Sequence, residues 1–168
     1  MDKERFTHSF IFSPGHWHGE GKIVLNMVEE ELIFNTNWNV QNRDFAGKVG
    51  AAQEIQIQGL SDNMRNELTF YDFQTKTFCV DMENPNVGRI TGTGVYDDKS
   101  IAWEFRNNDM AFEGYETYYI QPDGSYHMRG EYVTSDQFRT RIEARIWQRT
   151  DEVPSSEEEQ DSEGDEEP

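Results

Sequence analysis

A single cysteine, Cys79, in 168 residues excludes an internal disulfide framework and suits a reducing compartment. Long apolar runs are missing as well. Phe10-Ile11-Phe12, behind Met1-Asp2-Lys3-Glu4-Arg5, is too brief for the hydrophobic core of a signal peptide, and no stretch could span a bilayer. A cytoplasmic location without a membrane partner is expected. Basic residues are few, 15 Lys and Arg against 33 Asp and Glu, for a net charge of −18. That balance argues against a nucleic-acid partner, which usually requires a basic surface. No segment keeps a long 3.6-residue apolar period, so helix should be scarce. The chain also lacks a G-x-S-x-G elbow, a phosphate-binding loop, a dinucleotide fingerprint and an H-E-x-x-H pair, which removes the commonest catalytic readings.

The acidic excess is unevenly spread. Residues 151–168 hold ten acidic residues and no Lys or Arg, while residues 1–150 hold 23 acidic residues and all 15 basic ones. Two regions follow: a folded domain over 1–150 and an acidic tail over 151–168. The tail has too little apolar surface to offset the entropy of ordering, so it is expected to be disordered and extended by self-repulsion. Ser155, Ser156 and Ser162 each precede an acidic residue by three positions, a context resembling acidophilic kinase substrates; a purely solubilising tail is the competing reading. The layout also resembles that of acidic-tailed β chaperones such as the nucleoplasmin-like ones. That resemblance implies an alternative function, an interaction or chaperone-like protein whose tail contacts basic partners.

What is present in the first 150 residues is alternation. Trp17, Gly19, Gly21, Ile23, Leu25 and Met27 share one parity, and His16, His18, Glu20 and Lys22 the other. A period of two places these sets on opposite faces of a strand. The same division recurs in Leu32-Phe34-Thr36-Trp38-Val40, Gln53-Ile55-Ile57, Phe78-Val80-Met82, Ile90-Gly92-Gly94-Tyr96, Ile101-Trp103-Phe105, Tyr118-Ile120, Tyr126-Met128-Tyr132 and Phe138-Thr140-Ile142-Ala144-Ile146. Around Leu68-Thr69-Phe70-Tyr71 no polar face is evident. Turn signals such as Asp62-Asn63, Asn84-Pro85-Asn86, Asp97-Asp98 and Pro122-Asp123-Gly124 separate these segments. About ten antiparallel strands with one apolar face must cover that face. Short connections and glycines inside the strands favour an up-and-down barrel over a sandwich.

Gly15-x-Trp17-x-Gly19-x-Gly21 at the head of a ten-strand meander resembles the calycin superfamily, which includes the lipocalins. It is similar in particular to the nitrobindin-like and fatty-acid-binding-protein-like branches and to small barrel families of unassigned function. The resemblance implies a lumen open at one end that holds a small hydrophobic or amphipathic ligand. It also implies that Trp17 plugs the closed end with a basic residue of the last strand nearby, for which Arg149 is the nearest candidate despite its outward parity. Nitrobindins bind haem through a C-terminal histidine, and the last strand here has none; His8, in step with Phe6, Phe10 and Phe12, is the one histidine on an apolar parity. No cofactor is therefore expected. Fatty-acid-binding proteins anchor a carboxylate on lumenal arginines, whereas Arg139, Arg141 and Arg145 carry the outward parity unless a bulge reverses it.

The expected function is non-enzymatic binding of a small apolar ligand. Trp17, Phe34, Trp38, Trp103, Tyr118, Tyr132 and Thr140 are the candidate ligand-binding residues, with Gln53 and Glu116 as further inward polar groups. A buried Glu116 would require a partner. The same aromatics would equally serve to fill the barrel, although ten strands enclose more volume than eight. His16-x-His18-x-Glu20 projects three metal-binding side chains from one strand face and faintly resembles the metal motif of cupins. It supports a third reading, a metal-dependent enzyme, but lies opposite Trp17 and so on the outside. Cys79 has no activating partner in the sequence.

Overall fold

The structure is a computed structural model that describes residues 8–149 except 107 and 135. The acidic segment 151–168 and Phe6 lie outside the described residues. Ten strands follow in chain order: β1 Gly15–Leu25, β2 Glu31–Val40, β3 Val49–Ile57, β4 Asn63–Tyr71, β5 Thr77–Asn84, β6 Gly88–Tyr96, β7 Ser100–Phe105, β8 Glu113–Ile120, β9 Tyr126–Val133 and β10 Arg139–Arg149. Each pairs antiparallel with its sequence neighbours, and β1 closes on β10, giving an up-and-down barrel without a free edge. Among the described residues no helix is long and apolar enough to cross a membrane.

Alternation puts Trp17, Ile23, Phe34, Trp38, Phe78, Val80, Trp103, Phe105 and Ile146 in the buried interior. Two strands start earlier than their apolar pattern suggests. β3 begins at Val49, in phase with Ala51 and both buried. β8 begins at Glu113, where the inward positions are Gly114 and Glu116 and so give no hydrophobic signal. The face missing from β4 is also resolved: Leu68 and Phe70 are buried, and the phenol of outward Tyr71 donates to Asp81 at 2.9 Å.

The barrel has two unlike ends. At the end where β1 starts, residues 9–13 form a tight turn in which the Phe12 and Ser13 amides donate to the Ser9 carbonyl. This turn drives Phe10 into the barrel mouth, fully buried, with ring centroids 4.9–5.7 Å from those of Trp17, Trp38, Tyr118 and Tyr126. Ile11 is also fully buried and holds a left-handed backbone at φ 61°, which a β-branched residue adopts only when its surroundings impose it. Phe12 packs on Phe73 and Tyr96. His8 pins the segment: its Nε2 donates to the Asp97 carbonyl at 2.7 Å, and its Nδ1 accepts from the Tyr126 phenol at 2.8 Å. The far end, where β1 finishes, carries no comparable plug among the described residues.

Candidate functional site

A cavity of about 240 Å³ occupies the far half of the lumen. Its wall is mostly apolar, with Ile23, Phe34, Met82, Met128, Ile142 and Ala144 among the residues that line it. Two polar features interrupt that wall. One is Glu116 on β8, partly exposed through the cavity it lines. The Tyr118 phenol donates to one of its carboxyl oxygens and the Tyr132 phenol to the other, both at 2.5 Å. These phenols are themselves held in place. Tyr118 packs between Phe10 and Trp103, at 4.9 and 5.1 Å, and Tyr132 stacks on Phe112 at 5.0 Å. Phe112 is fixed by Asn108, which accepts from its amide and donates to its carbonyl.

The second feature is a ladder of amides on the opposite wall. Asn84 donates to Asn66, Asn66 to Gln53, Gln53 to the Thr36 hydroxyl, and Thr36 to the Glu54 carbonyl, over distances of 2.8–3.2 Å. The chain of bonds crosses β5, β4, β3 and β2 and satisfies each group in turn. By strand order Gln53 on β3 stands diametrically opposite Glu116 on β8.

Burial pushes the Glu116 carboxyl above its ordinary range against the opposing pull of its two phenol donors. Both phenols are held well above their own ordinary range, by burial first and by Glu116 next. The folded protein therefore retains a proton at Glu116 that the unfolded chain releases near pH 4.5. The stability from this group is complete below that value and is lost as the pH rises through the elevated folded one. Urea unfolding of wild type and Glu116→Gln across pH 4.5–8 should show the variant gaining on wild type as pH rises. A difference independent of pH would place the carboxyl in a solvated setting.

The structure separates the candidate residues. Phe34, Tyr118, Tyr132 and Thr140 line the cavity together with Gln53 and Glu116. Trp17, Trp38 and Trp103 lie in the packed half instead, where Phe10 contacts the first two and Trp103 sits against Phe70, Phe78 and Tyr118. The ladder residues Asn66 and Asn84 escaped the sequence reading. Asn66 is in phase with Leu68 and Phe70, which is the one signal that could have found it.

Other positions are occupied differently from expectation. Arg149 is exposed and pairs in register with outward His16, while Gln148 is the partner of Trp17. The buried Trp17 Nε1 has no hydrogen-bond partner among the described residues. The register of β10 runs unbroken from Arg139 to Arg149, so Arg139, Arg141 and Arg145 face outward. His16, His18 and Glu20 are on the outer face. His18 Nδ1 donates to Asn37 at 2.9 Å, and its Nε2 is 3.6 Å from Glu20. Among the described residues no three His, Cys, Asp or Glu side chains converge for a metal ion. None of the four histidines lines the cavity, and both ring nitrogens of His8 are engaged at the plugged end, so the wall offers haem no histidine ligand. Cys79 is half-buried, and burial, then the neighbouring Asp72, pushes its thiol up.

No family model matches the chain, and no curated protein matches it in sequence. Among solved structures, the S-type phycobiliprotein lyase CPES from Guillardia theta aligns over 86% of this chain and 93% of the lyase chain, with a TM-score of 0.62 at 9% identity. The fold is a calycin-like barrel. At that identity the likeness carries architecture alone, and it singles out neither the nitrobindin-like nor the fatty-acid-binding-protein-like branch.

Proposed function

We propose that this barrel binds a small amphipathic molecule in the open half of its lumen. The observation that carries the proposal is the preformed cavity, apolar on its walls and furnished with two opposed, fully organised polar features. Ligand sites have this composition: apolar surface for affinity and a few fixed polar groups for orientation. The cavity volume of about 240 Å³ lies below the ~300–1,000 Å³ of drug-sized sites. At ~30 Å³ per water molecule it suits a ligand of roughly eight or nine non-hydrogen atoms, or a longer one that extends through the mouth. Long-chain fatty acids fit poorly, because the lumen offers a carboxyl group where fatty-acid-binding proteins offer arginines. A barrel of this fold is found in a phycobiliprotein lyase, which supports the lumen as a ligand site without indicating its ligand here.

The test uses methionine methyl resonances. Met82 and Met128 line the cavity, whereas Met27 is 69% exposed outside it. Titration with 2-phenylethanol and related small amphipaths should shift the Met82 and Met128 methyls saturably and leave Met27 unmoved. Ala144 is buried on the cavity wall, so Ala144→Phe should fill the space and weaken binding by about tenfold or more. Absence of any saturable shift in the wild type would refute lumenal binding.

A further inference from the structure

Among the described residues, twenty line the cavity, of which one is acidic and none is Lys, Arg or His. A carboxyl group in an apolar lumen without a cation is costly to ionise. The tyrosines do not require it, since a glutamine carbonyl could accept phenol hydrogen bonds at the same place. The carboxylate offers something else. Each of its oxygens accepts one phenol and retains further acceptor capacity. The amide ladder on the opposite wall presents dipoles but no compensating charge.

We propose that the lumen selects a protonated amine, whose ammonium group pairs with Glu116 while its apolar body lies against Phe34, Met82 and Met128. The inference rests on the lumenal binding argued above and adds the chemistry of the head group. An ammonium donates to the acceptor sites that Tyr118 and Tyr132 leave unused, and it supplies the countercharge that the wall lacks. A ligand carboxylate would be repelled by Glu116, and an alcohol would gain a hydrogen bond without neutralising the charge. The two phenols are pre-positioned by Phe10, Trp103 and Phe112, so they orient the carboxylate before the ligand arrives. Tyr118 and Tyr132 are the other titratable groups on the lining, and both remain protonated where Glu116 ionises. Amine binding should therefore weaken as the pH falls and Glu116 takes up its proton.

Calorimetric titration of the full chain with 2-phenylethylamine, 2-phenylethanol and phenylacetate, at pH 7.5 and moderate salt, tests the inference. The amine is expected to bind about 10–100-fold more tightly than the alcohol, with phenylacetate weakest and with the amine shifting the Met82 and Met128 methyls. Glu116→Gln should bring the amine to the level of the alcohol. The wild-type rank order decides the matter even where that variant folds poorly. Alcohol or phenylacetate binding as tightly as the amine overturns the amine inference and leaves lumenal binding standing. Amine binding without a shift of Met82 and Met128 also overturns it, because the acidic exterior is then the site. If none of the three saturates the wild-type protein, lumenal binding itself fails.

Discussion

Replacing Phe10 by alanine is expected to destabilise the barrel by about 3–5 kcal/mol, which corresponds to a fall in Tm of roughly 10 °C or more for a domain of this size. The ring is fully buried and meets four aromatic neighbours edge-on or tilted, an arrangement that adds to simple area burial. Its neighbours cannot collapse into the void, because Trp17, Trp38, Tyr118 and Tyr126 project from four different strands of a closed sheet. Ile11 depends on the same anchor, since its left-handed backbone persists only while burial of the segment outweighs the strain. Tyr118 touches Phe10 on one side and the lumenal cavity on the other. The substitution should therefore also loosen the clamp on Glu116. Urea denaturation followed by tryptophan fluorescence measures the effect, and a loss below about 1 kcal/mol would show that the N-terminal segment is not part of the core.

Gly21→Val should prevent the barrel from closing. A Cβ at Gly21 would stand 2.2 Å from the Glu143 carbonyl oxygen, 2.6 Å from the Ala144 Cβ and 2.7 Å from its Cα. Two of those atoms are backbone, so no rotamer change relieves the contact, and β1 must draw away from β10. Parting that seam exposes two unpaired strand edges. The expected result is aggregated protein, or a soluble remnant destabilised by more than about 3 kcal/mol. Gly50→Val is the control. It sits in β3 with nothing within 4 Å of the added Cβ, so its effect should stay within about 0.5 kcal/mol. Similar behaviour of the two variants in size-exclusion chromatography and urea unfolding would contradict the close approach of β1 and β10.

Strand faces were legible because a period of two is a local property. The parity of Trp17 against His16 and His18 depends only on adjacent residues, and it holds along all of β1. The same logic placed Phe34, Trp103 and Ile146 inside and Arg139, Arg141 and Arg145 outside. Legibility failed where the inward position is not apolar. Asn66 and Asn84 are lumenal, yet they look like turn or surface residues until the strands that pair them are in place. Glu116 reads in the sequence as a group that requires a partner, but its partners lie two and sixteen residues away, and only the pairing of β8 with β9 brings Tyr132 to it.

Sequence alone thus determined the class of this protein: an all-β chain of about ten strands, each with one wet and one apolar face, closed into a barrel. Tertiary structure decided how the interior is divided. By parity, Trp17, Trp38 and Trp103 are equivalent to Phe34, Tyr118 and Tyr132, since alternation reports a face and not a depth. Phe10 packs against Trp17 and Trp38, and Phe70 and Phe78 against Trp103, which makes these three a packed core, while the amide ladder and the Glu116 clamp line the space beside the others. Depth along a barrel axis arises from which strands are neighbours and how they are staggered, and those relations are long-range.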